Sequence, residues 1–470
     1  MRKGTNPLLW LIIVSMPFVL WAKLQILPTF DDWTTLSLPN YDPQWQQYFL
    51  PNGSFWRPFD AAMGYLYSVI GNDWYPFLNH LLIFAAHLGS TFMVYKLAGA
   101  LCFNNMARAV ATSFFWFSPC VLATVFACDS MNQTYSMLWG LIALWIYLQR
   151  TERWRHPLWM LCVLLAALSK ENGLAWAVVP PIVAFGFRRI SRRTLLRHLS
   201  LGIMLAVGYA AVRLSLPTTE IYYEEYHDLL SVSRKLKGVA VLITYTWLPA
   251  DYIYLMHAPS RNVVLFLLTL LPTMPFIAML FCSRTLWRDR RFWALCAAAV
   301  VTVTPNLLIN MSMMNAYAWL GMAALIVALA VEHCRRPMLL AAAYVLFLLS
   351  VAFTYVHHWY CTWQTSLPAD YMAREAVAKT GHPVDRVYVV TVQDAQRKFS
   401  SFCTLPTEAF GWGRAVWGQT DFKWPTQIND TTVDNGTPQT VIDNISCIAI
   451  SRGFECVWIV HGDSVDVRLP

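Results

Sequence analysis

Long apolar runs separated by short polar stretches dominate the first three quarters of the chain. They fall near residues 8–27, 76–97, 107–126, 134–149, 157–172, 174–187, 199–216, 260–282, 291–310, 316–332 and 337–356. A helix needs about 20 predominantly apolar residues to cross the hydrocarbon of a bilayer. The pattern predicts about eleven spans, several of them short. Charge interrupts the stretch 157–187, which predicts irregular backbone inside the bundle. Segment 238–256 is apolar enough to span, but a span there would move the basic loop at Arg284–Arg291 to the other side. It reads instead as a re-entrant or interfacial helix. Residues 28–75 form a polar, aromatic-rich first loop, too long for a turn and suited to short interfacial helices.

From His357 onward the pattern changes. Polar residues rise, and the runs Arg386–Val392 and Cys456–Val460 have the β-branched and aromatic content of strands. The expected architecture is a polytopic α-helical membrane bundle over 1–356, followed by a small α/β domain over 357–470.

Composition removes the alternatives. Of 470 residues, 57% are hydrophobic and 13% charged, against about 25% charged in a soluble domain. Neither a soluble globule nor a disordered chain fits. The net charge of +8 does not indicate nucleic acid, because Lys and Arg collect in the cytoplasmic loops of membrane proteins. The basic loops at Arg150–Arg155, Arg188–Arg193, Arg284–Arg291 and Arg335–Arg336 are therefore expected on the cytoplasmic side with the N-terminus. The C-terminal domain then lies outside. Cys361, Cys403, Cys447 and Cys456 fall in that outer part, where disulfides are allowed. The four cysteines permit three connectivities, among which a possible hairpin turn at Ser451–Gly453 favours the pair Cys447–Cys456. No CxxC pair, P-loop or glycine-rich nucleotide fingerprint is present.

Candidate chemistry sits mainly on the outer side. Asp31 and Asp32, followed by Trp33, offer a general base and an orienting neighbour, or a solvated loop turn. Arg57, in Phe55-Trp56-Arg57-Pro58, offers a planar fork for phosphate, or snorkels to headgroups. His80 and His87 share one helix face, where helix–helix hydrogen bonding is a better use than metal ligation. Asp129 lies in a polar outer hairpin that runs to Gln133. In Ser169-Lys170-Glu171, the lysine is suited to an anionic headgroup with Glu171 holding it, or the two form an ion pair at a helix end. Glu224 belongs to an acidic, tyrosine-rich loop suited to a sugar or simply to water.

In order along the chain, these signals resemble the GT-C superfamily of polytopic glycosyltransferases. The pattern comprises the acidic pair, Trp56-Arg57-Pro58, Asn79-His80, Phe117-Ser118-Pro119 and Leu168-Ser169-Lys170-Glu171. The similarity is greatest to the branch of protein O-mannosyltransferases and aminoarabinose transferases. In size and plan the chain also resembles serotype-converting O-antigen glucosyltransferases. The resemblance implies transfer of a hexose, glucose favoured, from an undecaprenyl-phosphate sugar to an envelope glycan on the periplasmic face of a bacterial inner membrane. It implies Asp31 as base with Asp32 as second choice, Arg57 and Lys170 on the lipid phosphate, and Asp129 as a second outer acid. No obligate metal is expected, although metal-dependent relatives leave room for a divalent cation. Where many relatives carry a Glu-Arg-Tyr-type motif, this chain reads Met314-Asn315-Ala316-Tyr317, so Asn315 stands where a phosphate-binding arginine is missing. Protein O-glycosylation within the same superfamily and a lipid-linked sugar transporter or flippase are the competing readings.

Overall fold

The computed structural model describes residues 6–26, 49–51, 56–70, 75–126, 130–149, 152–217, 231–248, 264, 267–268, 270–308, 313–393, 427–461 and 464–470. The chain is mostly helical, with one small sheet. Asp31, Asp32, Trp33, Asp129 and Glu224 lie outside the described residues, as do Cys403 and the side chain of Cys361.

Among the described residues, five helices are long and apolar enough to cross a membrane: Pro7–Leu24, Phe77–Ala100, Arg192–Ser215, Asn315–His333 and Pro337–His357. Several of the eleven expected spans are shorter or broken. The stretch 157–187 is a helix Glu152–Ser169 (α1), a 3-10 segment Glu171–Ala177 and an eight-residue helix Val179–Gly186 (α2). The break has a local cause. Lys170 and Asn172 are buried polar groups and cannot face lipid without cost. α1 ends where the backbone turns extended at Lys170, φ −156° and ψ 142°. The 238–256 segment begins as a helix, Val232–Trp247.

The bundle is built around helix Leu320–His333 (α3). It is apolar on every side, and every residue from Leu320 to Val331 is buried, as expected of a central helix. By contrast, helix Arg192–Ser215 (α4) exposes Met204, Val207 and Leu214. Its apolar surface faces outward, which suits a lipid surround. His87 carries out the expected helix–helix bonding: its Nδ1 lies 2.9 Å from the Tyr317 hydroxyl, and its ring stacks on Trp116.

The basic loops gather at one end of the bundle. Arg189 donates to the Ala100 carbonyl at 2.5 Å. Arg290 donates to the Phe185 carbonyl at 2.6 Å and lies over the Phe185 ring. Asn104 donates its backbone N–H to Glu332 at 2.9 Å.

Helix Pro337–Thr380 (α5) leaves this basic end and runs for 44 residues without a break. At about 1.5 Å per residue it is roughly 66 Å long, about twice the hydrocarbon thickness. It does not stop at residue 357, where the composition changes. Gly381, at φ +73°, ends it in the left-handed cap that glycine adopts without strain.

The sheet stands at the far end of α5. Its strands are Arg386–Gln393 (β1), Gln427–Asp434 (β2), Cys456–His461 (β3) and Ser464–Arg468 (β4), in the order β2-β1-β3-β4. β1 pairs in parallel with both β2 and β3, and β4 closes an antiparallel hairpin with β3. One face packs Val387, Val389 and Trp458 on Ala376 and Val377 of α5, with Met63 and Leu78 from the bundle. The other face is covered by helix Gln439–Ser451 (α6) through Ile442 and Ala449. The Trp458 indole donates to the Thr380 hydroxyl at 2.8 Å, and Lys379 Nζ to the Val465 carbonyl at 2.6 Å.

The expected Cys447–Cys456 pair does not form. Both are free thiols, Cys447 exposed on α6 and Cys456 buried in β3. The segment Ser451–Gly453 is a helix-to-strand connection rather than a hairpin turn, with Gly453 at φ +83°. Burial pushes the Cys456 thiol pKa up, which keeps it protonated and unreactive.

Candidate functional site

At the end of the bundle remote from the basic loops, the first loop meets the 3-10 segment. Helix Pro58–Ile70 (α7) starts just after Arg57; proline is favoured at a first helical position because it has no N–H to satisfy. Arg57 reaches Glu171 across 114 positions of sequence. Its Nε lies 3.2 Å from Oε1, and an outer guanidinium nitrogen lies 3.3 Å from Oε2. The backbone N–H of Trp56 donates to the same Oε1 at 3.0 Å. The Trp56 ring rests on Tyr209 of α4, with centroids 5.1 Å apart. Glu171 therefore holds Arg57. Both ends of the pair are about one quarter exposed, so the pair is screened and its worth lies in orienting the guanidinium.

One turn into α7 stands Asp60, a residue absent from the sequence candidates. Its Oδ2 accepts from Asn132 Nδ2 at 2.9 Å. Asn132 is buried in the first turn of helix Met131–Gln149 (α8). As a residue Asp60 keeps some exposed surface, yet protein encloses the carboxyl. Burial pushes its pKa up from 3.8 to about 6, against the opposing charges of Arg57 and Lys170 and the Asn132 hydrogen bond. The signal in sequence was the spacing: Asp60 follows Arg57 by three residues, one helical turn.

Two more polar groups at the start of α8 add to the site. Asn132 Oδ1 and Gln133 Oε1 are buried, and neither has a hydrogen-bond partner among the described residues. Buried acceptors of this kind are rare in native proteins and suit hydroxyl donors. Ser136 Oγ ties α8 to the 3-10 segment through Asn172 Oδ1 at 3.2 Å.

Of the other sequence candidates, Lys170 borders this cluster. Lys170 is buried, at 7% exposure, immediately before the 3-10 segment. Its charge acts on Asp60. His80 is buried, with Nε2 2.7 Å from the Ile26 carbonyl. Lys23, buried nearby, donates to the Val125 carbonyl. Asn315 is buried in the 3-10 segment Met313–Trp319, beside Ala316 and Tyr317 in the bundle core. Among the described residues, no group of three or more His, Cys, Asp or Glu side chains could hold a metal ion.

The 3-10 segment is pinned by Gly173. A Cβ there would lie 2.2 Å from the Ala166 carbonyl carbon and 2.5 Å from Ala167 N. These are backbone atoms and cannot swing aside. Gly173→Ala should destabilise the protein by about 1–3 kcal/mol and lower its Tm by roughly 5 °C in a detergent melt. Gly208→Ala, with nothing within 4 Å of the added carbon, is the matched control and should leave Tm unchanged or slightly raised. Equal behaviour of the two would remove the close approach at Gly173.

No protein family matches the chain, and no curated protein matches it. Among solved structures, the Archaeoglobus fulgidus oligosaccharyltransferase in complex with Zn and sulfate overlays 95% of this chain and 67% of its own, with TM-score 0.41 and 13% identity. An overlay at that level carries no argument; the chemistry of the site rests on this chain's own residues.

Proposed function

We propose that the protein is a membrane glycosyltransferase of the GT-C type. It takes a hexose, glucose favoured, from a polyprenyl-phosphate carrier and passes it to a glycan acceptor such as O-antigen at the outer face of a bacterial inner membrane. The supporting observation is the meeting of Arg57 with Lys170-Glu171, motifs far apart in sequence, around the enclosed carboxyl of Asp60.

The chemistry asks for this combination. The acceptor oxygen attacks the anomeric carbon, the bond from that carbon to the phosphate oxygen breaks, and the phosphate leaves with the electron pair. Cations must meet the charge that develops on the phosphate, a role for Arg57 and Lys170. A carboxylate must take the acceptor's proton. Two are candidates: Asp31 by resemblance, and Asp60 by its position and its raised pKa. Asn132 and Gln133 supply acceptors for sugar hydroxyls. One displacement inverts the anomeric centre.

The test uses purified protein in detergent with undecaprenyl-phosphate-glucose and an envelope glycolipid. Release of undecaprenyl phosphate by the wild type is the expected result. Asp31→Asn should lower it at least a hundredfold if Asp31 is the base, about 2.7 kcal/mol of barrier. Absence of release from any polyprenyl-phosphate sugar, together with lipid flipping in vesicles, would replace the transferase with a transporter.

A further inference from the structure

The basic end of the bundle carries a feature that the transfer reaction does not use. A cavity of about 710 Å³ opens between the end of helix Met274–Phe281, the turn after it, and the junction of α3 with α5. Arg284, Arg335 and Arg336 line it together with Ser283, Met279 and Leu339. All three arginines are exposed.

The charge balance at this end is unusual. Asp289 receives Arg291 at 2.8 Å and faces His333 Nε2 at 3.4 Å. Glu332 faces Arg291 at 3.6 Å and accepts the Asn104 N–H at 2.9 Å. The carboxylates at this end are thus turned to Arg291 and its neighbours. Among the described residues, no carboxylate pairs with Arg284, Arg335 or Arg336. Three guanidinium groups therefore line one cavity with no described carboxylate paired to them. They are the side chains that form forked hydrogen bonds to phosphate.

The apolar surroundings identify the source of that phosphate. Leu339 lines the cavity and is exposed, as is Met338 beside it in sequence. Helix Pro337–His357, which begins at this point, is apolar enough to span a bilayer. A basic pocket opening beside lipid-facing helices at headgroup depth receives a phosphate that carries acyl chains. We infer that this cavity binds the headgroup of an anionic phospholipid, with Arg284, Arg335 and Arg336 on the phosphate and the acyl chains along Leu339 and Met338.

The test titrates the purified protein in neutral detergent with dioleoyl phosphatidylglycerol, with dioleoyl phosphatidylcholine and with soluble glycerol phosphate, and reads retained lipid by native mass spectrometry. Phosphatidylglycerol should be retained and phosphatidylcholine should not. Each arginine is worth about fivefold toward an anionic lipid, so the triple variant Arg284→Gln, Arg335→Gln, Arg336→Gln should lose on the order of a hundredfold in affinity. Arg192→Gln with Arg193→Gln, at the same end but away from the cavity, should lose little. Cys282 lines the cavity and is an exposed free thiol, so bound phosphatidylglycerol should slow its labelling by maleimide in the unmutated protein. Equal losses in both variants would reduce the effect to general attraction of a basic surface and overturn the site. Protection of Cys282 by glycerol phosphate as strong as by the lipid would overturn the lipid as its ligand.

Discussion

Replacing Arg57 with alanine should lower release of polyprenyl phosphate on the order of a thousandfold, about 4 kcal/mol of barrier. Two losses combine. On the proposed reaction, the cation that would meet the departing phosphate is gone, and Glu171 keeps its negative charge unpaired by Arg57. Arg57→Lys should recover little, because an ammonium cannot reproduce the two-point contact that now fixes the guanidinium on Oε1 and Oε2. Glu171→Gln should cost less, since Arg57 keeps its charge but loses its aim. The double variant should resemble Arg57→Ala rather than the sum of the two, because the residues act as one unit. Turnover of Arg57→Ala within tenfold of wild type, or strictly additive losses, would dismiss the pair from the reaction.

The second large effect is on the pH profile. With the Asp60 pKa pushed up to about 6, a rate that needs its carboxylate should rise from pH 4 to 8 with a midpoint near 6. Asp60→Asn should flatten that rise and lower the plateau roughly a hundredfold. A midpoint near 4, left in place by Asp60→Asn and abolished by Asp31→Asn, would return the base role to Asp31. The same shift has a stability counterpart. Between about pH 4 and 6 the folded protein holds a proton that the unfolded chain has released, so the stabilisation from neutral Asp60 is present below that window and is lost as pH rises through it.

Much of this arrangement is legible in the sequence, and the exceptions have physical reasons. β1 and β3 were readable because their β-branched runs fill both faces of a covered sheet. β2, reading Gln-Ile-Asn-Asp-Thr-Thr-Val-Asp, is a polar edge strand, and nothing in its composition separates it from a loop. The change of composition at 357 marks the end of the stretch apolar enough to span a bilayer rather than the end of a helix. Once a helix is nucleated, each further residue adds a hydrogen bond whether its side chain is apolar or not. In the site, Arg57 and Glu171 were each visible, but their contact depends on a packing that folds the first loop onto the end of α1. Asp60 was hidden for the opposite reason. An acid in the first turn of a helix is ordinary, and only its enclosure makes it chemically distinct.

The unbroken helix α5 sets how the sheet can serve a reaction at the other motifs. A flexible tether would let a captured acceptor wander over a wide volume and would raise only its local concentration. A rigid strut clamped at its tip by Lys379 and Thr380, with Met63 and Leu78 of the bundle against the same sheet face, holds the sheet at one height and one angle. Anything held by the sheet is then gauged by distance. On the proposed transfer reaction, an acceptor captured by the sheet would be selected by the reach from its point of capture to its reactive hydroxyl.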